Sequence, residues 1–319
     1  MIGYVLRRLG YGVVVMALVT VFVFVIMRLV PGDAVALQLQ DTGVSAEEAA
    51  ALRDRFGLDD PVWVQLGEWV AGAVQGDLGT SFYGGEPVAQ LFLSRVPITV
   101  QLGLIAMVLG ALLGVGFGIL AAVTRGTWVD SAVRVFAVAF LSVPNFVVGL
   151  LLLTLLALWF AWSPPIVYAG PGEDLVSWIQ QIAIPVIALG TGGMAGIARM
   201  TRSSMLESLG SDYIRTVHAK GARHRTVVFK HALRNSAIAV LTLLGLELAT
   251  ILGGTVILEQ MFSIPGTGQL IYQAVLDRDY PVVVACTIFY AGLFVVTIIV
   301  IDLLYALIDP RIRTGRALS

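Results

Sequence analysis

Cysteine occurs once in this chain, at Cys286, and lysine twice, at Lys220 and Lys230. The first scarcity excludes an internal disulfide, a CxxC redox pair and a cysteine zinc cluster. Cys286 sits in an apolar run, where it reads as a small packing residue. The second excludes a nucleotide-binding P-loop, which needs a lysine followed by Ser or Thr; here the lysines precede Gly221 and His231. Histidine is scarce too. His218, His224 and His231 are six and seven residues apart, a spacing that does not match H-E-x-x-H. None of them lies in an apolar run, so an intramembrane Ser-His dyad is excluded. No catalytic or metal-ligating set is predicted. Charge is also low: 13% of the 319 residues are Asp, Glu, Lys or Arg, against about 25% in soluble domains.

Long apolar runs fill the space that charge leaves, and mean hydropathy is +0.89. A bilayer core needs about 20 helical residues to span, and six segments are long enough: Leu9–Val30, Ile98–Val123, Ala132–Trp162, Ile182–Met200, Ala237–Leu258 and Val282–Ile308. The fourth is the weakest because it is rich in glycine. The first is longer than the 7–15-residue apolar stretch of a signal peptide and reads as an uncleaved anchor. The predicted class is an all-α polytopic membrane protein with six transmembrane helices. Fifteen of the twenty lysines and arginines fall in the two termini and in alternate loops, and four fall in the remaining segments. By the positive-inside rule both termini are expected to be cytoplasmic.

Four divisions follow. Residues 1–30 form an N-terminal spanning helix that stops at Val30-Pro31-Gly32-Asp33. Residues 31–95 form an external segment with ten carboxylates against three arginines. In it, Ser45-Ala46-Glu47-Glu48 reads as a capping box opening a helix over Ala46–Phe56 that Gly57 ends. Pro61 starts a second helix, with Trp63, Leu66, Trp69 and Val70 toward one face. Residues 96–308 hold five spans, and residues 309–319 form a cytoplasmic tail. In the second span, Gly110, Gly114 and Gly118 have the spacing that lets helix backbones approach in lipid. In the third, Pro144-Asn145 predicts a bend, which either lines a pathway or fits a curved bundle.

Polar residues concentrate in one basic island, Thr201–Ala237, within the predicted cytoplasmic loop 201–237. Ser211-Asp212 has the form of a helix N-cap, and Tyr213, Ile214 and Val217 make an apolar stripe at helical spacing. Gly221 can take the left-handed conformation that closes a helix. A short amphipathic helix over Asp212–Lys220 is expected, then a second over about Thr226–Asn235. A capped helix with an apolar stripe suits a protein groove or a fold back onto the membrane surface. In the fifth span, Glu247 is a carboxylate in lipid and a functional candidate by default; it either serves a pathway, for which Asn145 at the bend is a separate candidate, or hydrogen-bonds a neighbouring helix. Asp302 lies near the end of the last span. A proton-coupled secondary transporter would call for more ionisable residues in the spans than these.

The island resembles the cytoplasmic loop of ABC importer permeases. That loop reads Glu-Ala-Ala, three residues, Gly, nine residues, Ile-x-Leu-Pro. Gly221 takes the glycine position and Leu233 the leucine, while Arg215-Thr216-Val217 and Arg234 depart from the pattern. The departures match the peptide-and-nickel branch, where RTxxAKG (Arg215, Thr216, Ala219, Lys220, Gly221) precedes HxLRN (His231, Leu233, Arg234, Asn235). FGLDDPVWVQ (Phe56–Gln65), GDLGTS (Gly76–Ser81), RVPITVQL (Arg95–Leu102), EQMFSIPGTGQL (Glu259–Leu270) and RDYP (Arg278–Pro281) agree with the same branch.

The resemblance implies a type I ABC importer permease fold and a five-protein assembly. Its implied partners are a second homologous permease, two ATP-binding subunits that hold ATP and Mg, an external substrate-binding protein and the lipid bilayer, with no nucleic acid. The chain itself would bind no cofactor. The implied cargo is a di- or oligopeptide, with nickel, glutathione or another small solute as alternatives. The residues implied to couple to the ATPase are Asp212, Tyr213, Arg215, Thr216, Ala219, Lys220 and Gly221, supported by His231, Leu233, Arg234 and Asn235.

Overall fold

The computed structural model describes residues 2–29, 35 and 46–308. The stop signal at Val30–Asp33, Ser45 of the capping box, the Asp302 side chain and the tail 309–319 lie outside the described residues. The described chain is helical: α1 (Ile2–Leu29), α2 (Ala46–Arg55), α3 (Val62–Val74), α4 (Val88–Val123), α5 (Trp128–Ser142), α6 (Asn145–Phe160), α7 (Leu175–Leu209), α8 (Asp212–Ala219), α9 (His224–Met261), α10 (Thr267–Leu276) and α11 (Tyr280–Ile308). An isolated antiparallel bridge joins Thr80 and Pro87. Among the described residues five helices are long and apolar enough to cross a membrane, and the pair α5 and α6, bent by 101° at its junction, makes a sixth if counted as one span. The predicted bend at Pro144 is therefore a break. Val143 leaves helical geometry and Pro144 restarts it as the cap of α6, because a proline at the first turn lacks only an amide that would be unpaired anyway.

The chain divides into two compact units, residues 1–99 with 265–296 and residues 100–264 with 297–319. The first unit holds α1, the short helices α2, α3 and α10, and the start of α11. Its helix α2 ends where expected, with Gly57 at φ +60°, and α3 begins after Pro61. The predicted face of α3 is only partly right: Trp63 points outward and Gln65 is the buried residue. Gln65 donates to the carbonyl of Asp60 (2.6 Å) and accepts from Arg28. The Arg28 guanidinium lies 4.5 Å from the Tyr280 ring centroid, and Phe82 packs between Phe56 and Tyr280.

Two buried polar knots hold this unit. The Ser81 hydroxyl donates to Asp279. Burial pushes the Asp279 carboxyl above the usual range, against the hydrogen bond from Ser81. The second knot is formed by the hydroxyls of Thr99 and Thr267, 2.9 Å apart, with Tyr290 at 3.0 Å and the Thr267 amide donating to Thr99 at 2.8 Å. The segments Phe56–Gln65, Gly76–Ser81 and Arg278–Pro281 thus meet around Arg28 and Asp279, and Arg95–Leu102 meets Glu259–Leu270 at the threonine pair.

In the second unit α7 is central. It packs against α5, α6 and α9 and is buried over most of its length, including Gly190, Gly193 and Gly196. Its weak hydropathy has this cause: it faces protein rather than lipid, and glycine lets its neighbours close in. A Cβ on Gly110 would lie 2.6 Å from the Gly190 carbonyl, and one on Gly114 2.8 Å from that of Met194. A Cβ on Gly118 would lie 2.7 Å from that of Ala198. The glycine stripe is thus the line of contact between α4 and α7. Asp174 caps α7, accepting from Val176 and Ser177 amides at 3.0 and 3.1 Å. Buried Gln181 pins the preceding loop by donating to the Pro165 carbonyl at 3.1 Å.

Candidate functional site

The basic island is more helical than a loop. α7 continues through Arg199 and Arg202 to Leu209, and α9 begins at His224, so only residues 210–211 and 220–223 are non-helical. The separate helix expected over Thr226–Asn235 is instead the start of α9, which runs unbroken to Met261 through a π-helical stretch, Val227–Ala232. Between α7 and α9 sits α8, close to the expected bounds. Ser211 Oγ accepts from the Ile214 amide at 3.5 Å. At the other end Gly221 has φ +80°. Its amide donates to the His218 carbonyl (2.9 Å) and the Ala222 amide to that of Val217 (3.3 Å). This pair of bonds forms the left-handed closure that only glycine adopts without strain.

The apolar stripe of α8 does not face outward as a docking edge. Ile214 is 2% exposed and Val217 half-buried, and α8 packs on the π stretch of α9. Tyr213 is half-exposed, and its hydroxyl is hydrogen-bonded to Nδ1 of His231 at 2.7 Å. The stripe therefore fastens α8 to its own chain. The face left open carries Asp212, Arg215, Thr216, Ala219, Lys220 and Gly221, all exposed. Arg215 and Asp212 pair across it at 3.2 Å; both are nearly fully exposed, so the pair adds well under 1 kcal/mol. Of the supporting residues, His231 touches α8, and Leu233 packs against the buried cluster of Ala122, Met205, Val228 and Ala232. Arg234 and Asn235 are exposed.

At the start of the island, Arg202 forms a pair that the sequence reading did not contain. Arg202 donates through Nε and Nη2 to both oxygens of Asp130 at 2.7 and 2.8 Å, and Asp130 is 1% exposed. The Gly126 amide donates to the same carboxylate at 3.1 Å. A two-pronged, charge-assisted bond of this kind clamps α5 to α7. Thr127-Trp128-Val129-Asp130 has capping-box spacing, so the helix start was detectable; a partner 72 residues away was not.

Glu247 and Asn145 line one cavity of about 390 Å³ at the α5–α6 break, together with Ser142, Pro144, Gly192 and Thr250. The Glu247 carboxylate lies against the glycines of α7: a Cβ on Gly193 or Gly196 would come within 3.1 Å of its oxygens. A Cβ on Gly192 would collide with the Asn145 carboxamide. The histidines do not gather at one point; His218 and His224 stack at 6.3 Å, while His231 serves Tyr213.

A bundle of apolar helices with a braced short helix and a polar cavity at a bent helix pair has the architecture of a membrane transport component. A family model described as binding-protein-dependent transport system inner membrane component matches residues 114–314, and the N-terminal model of such membrane components matches residues 1–103. The chain belongs to that family and is a multi-pass inner-membrane permease subunit.

It is 39% identical over 310 residues, 97% of this chain and 99% of the relative, to the probable peptide ABC transporter permease protein y4tP of Sinorhizobium fredii. Oligopeptide transport system permease protein AppB of Bacillus subtilis is 37% identical, covering 98% of this chain and all of the relative. Dipeptide transport system permease protein DppB of Escherichia coli is 36% identical, covering 98% and 99%. Among solved structures, a chain of the MetNI methionine ABC transporter in an inward-facing conformation shares the fold. The TM-score is 0.56 at 20% identity, over 69% of this chain and 97% of that one.

Proposed function

We propose that this chain is a pore-forming permease of an ATP-driven, binding-protein-dependent importer of di- and oligopeptides. Full-length relatives named as peptide, oligopeptide and dipeptide permeases support the cargo class. In this proposal both termini and residues 201–237 face the cytoplasm, residues 31–95 face outward, and residues 96–308 form the permease core. A second homologous permease completes the pore. Two ATP-binding subunits hold ATP and Mg, and an external substrate-binding protein delivers cargo.

The single observation that carries the coupling role is α8. An eight-residue helix is too short to be stable alone in water, yet this one is capped at both ends and anchored by Ile214, with its small and polar face open. Asp212, Arg215, Thr216, Ala219, Lys220 and Gly221 form the face that an ATP-binding subunit would grip. Tyr213, His231 and Leu233 hold that face on the bundle, and Arg234 and Asn235 border it. Closure of the ATP-binding pair would move α8 and, with it, α9. The pore would then switch between outward and inward access.

Proteoliposomes carrying the assembled complex test the proposal. Peptide uptake should require ATP and the ATP-binding subunits; uptake driven by a pH gradient without ATP would overturn it. Within the complex, Ala219→Asp places a charge on the open face. Gly221→Pro demands φ near −65° where the chain has +80°. Both variants should insert normally and hydrolyse ATP with uptake reduced at least tenfold. Wild-type uptake in both would remove the coupling role.

A further inference from the structure

We propose that the cavity at the α5–α6 break is a cation site that receives the ammonium group of the cargo, with Glu247 as its carboxylate. This rests on the reading of the chain as a peptide permease, and it adds a specificity-determining residue to it.

Position comes first. Glu247 is the central residue of the stretch Leu233–Met261, about 21 Å from either end at 1.5 Å per residue. That is well inside the apolar part of a candidate span, where an ionised carboxylate is costly and calls for a compensating charge. Among the described residues, no ion pair or hydrogen bond engages that carboxylate.

Room comes second. The carboxylate opens onto a cavity of about 390 Å³. On α7 the side toward Glu247 is built of Gly193 and Gly196, where a side chain would crowd its oxygens. The site is thus built around the carboxylate, and the space left is large enough for an amino group with its first residue.

The donor set comes third. An ammonium group has three hydrogens to donate. Glu247 supplies one charged acceptor and the Asn145 carboxamide a neutral one. Phe140, Leu141 and Ser142, at the end of α5 where carbonyls lack an intrahelical donor, line the same cavity. Among the described residues, no cluster of three His, Cys, Asp or Glu gathers. One carboxylate with neutral oxygens suits a monovalent organic cation better than a divalent metal, which needs several charged or imidazole ligands.

The test separates the cation site from the cargo. Thr250, on the cavity wall, is changed to cysteine in a Cys286→Ala background, and the full complex is treated with cationic and anionic water-soluble thiol reagents. The ratio of cationic to anionic reaction rates should fall at least tenfold on adding Glu247→Gln, which keeps the shape and removes the charge. An unchanged ratio overturns the cation site.

Uptake is then compared for a peptide and its desamino analogue, each saturating the binding protein. Glu247→Gln should slow import of the amino peptide at least tenfold, spare the analogue and leave ATP hydrolysis within twofold. Glu247→Asp should restore part of the import. Equal loss for both cargoes, or loss of the second permease on purification, would overturn the proposal and make Glu247 a structural or inter-subunit partner. A charge-dependent labelling ratio in a complex that imports no peptide would refute the peptide reading and leave the cation site standing.

Discussion

Replacing Ile214 by alanine removes the one fully buried side chain of α8. Truncating a buried isoleucine costs about 2–5 kcal/mol. The Tyr213–His231 hydrogen bond, half-exposed, contributes only about 1 kcal/mol, and the Ser211 cap about as much. The apolar contact therefore exceeds either polar one, and an eight-residue helix has little stability of its own to fall back on. Loss of 2–5 kcal/mol corresponds to opening roughly 30-fold to a few thousand-fold more often. Hydrogen exchange of the 215–221 amides should accelerate by that factor in Ile214→Ala. Amides in the middle of α7 should keep their protection, because α7 stays packed. On the proposed coupling role, uptake falls with the exchange protection while ATP hydrolysis persists. Unchanged protection would mean that Ile214 does not anchor the helix. Full uptake despite lost protection would mean that order in α8 is not needed for coupling.

Breaking the Asp130–Arg202 pair with Asp130→Asn leaves an uncompensated guanidinium and should cost about 3 kcal/mol. Asp130→Leu with Arg202→Met should recover most of it, read from thermal unfolding in detergent; additive losses would deny the coupling. Gly114→Ala should lower the unfolding temperature sharply, because its Cβ meets Ile197 and the Met194 carbonyl within 2.8 Å. Gly116→Ala on the same helix, with nothing within 4 Å, should change stability by less than about 0.5 kcal/mol. Equal effects would refute the tight-approach account. For Asp279 the folded-state carboxyl titrates above its unfolded value of about 3.9, so folding favours the protonated form. Its contribution is complete below the unfolded value and is lost as pH rises through the shifted one. Unfolding temperature should therefore fall across that interval in the wild type and vary less in Asp279→Asn. Parallel curves would show that Asp279 does not set this dependence.

Much of the fold was legible because lipid and helix chemistry write local signals. A span needs an unbroken apolar run, and a capped helix needs Ser211 before it and Gly221 after it; the bounds of α8 and of the first, third and last spans fell close to the observed ones, while the helices of the second, fourth and fifth extend well beyond their apolar runs. The misses were of two physical kinds. Polar residues on α7 beyond Met200 looked like loop, yet backbone hydrogen bonding continues wherever no proline or cap intervenes, and Arg202 is polar because it meets Asp130. The break at Val143 was legible as a bend, but its 101° angle depends on packing that no local residue specifies. The stripe of α8 was read at the right positions and given the wrong partner, since periodicity tells which face is apolar and not what covers it. Asn145 and Glu247, chosen separately as a bend residue and a carboxylate in lipid, share one cavity because α6 and α9 both close on the glycine face of α7.

That shared wall gives the proposed mechanism its geometry. His231, which holds Tyr213, and Glu247 lie on the same helix, sixteen residues or about 24 Å apart at helical rise. A flexible loop between the two would absorb a push on α8 before it reached the cavity. From Leu233 onward a continuous α-helix cannot shorten, so displacement that reaches Leu233 would appear as translation or rotation of the span along the glycine face of α7. The π stretch at Val227–Ala232 is the exception in that rod. Its turn, closed by i→i+5 bonds, is wider than that of the α-helix that follows, and it is the part that α8 touches. On the proposed reading, compliance is confined to the docking end and stiffness to the span. Motion imposed by the ATP-binding subunits would then be delivered at the depth of Glu247 rather than spent in the cytoplasmic connections.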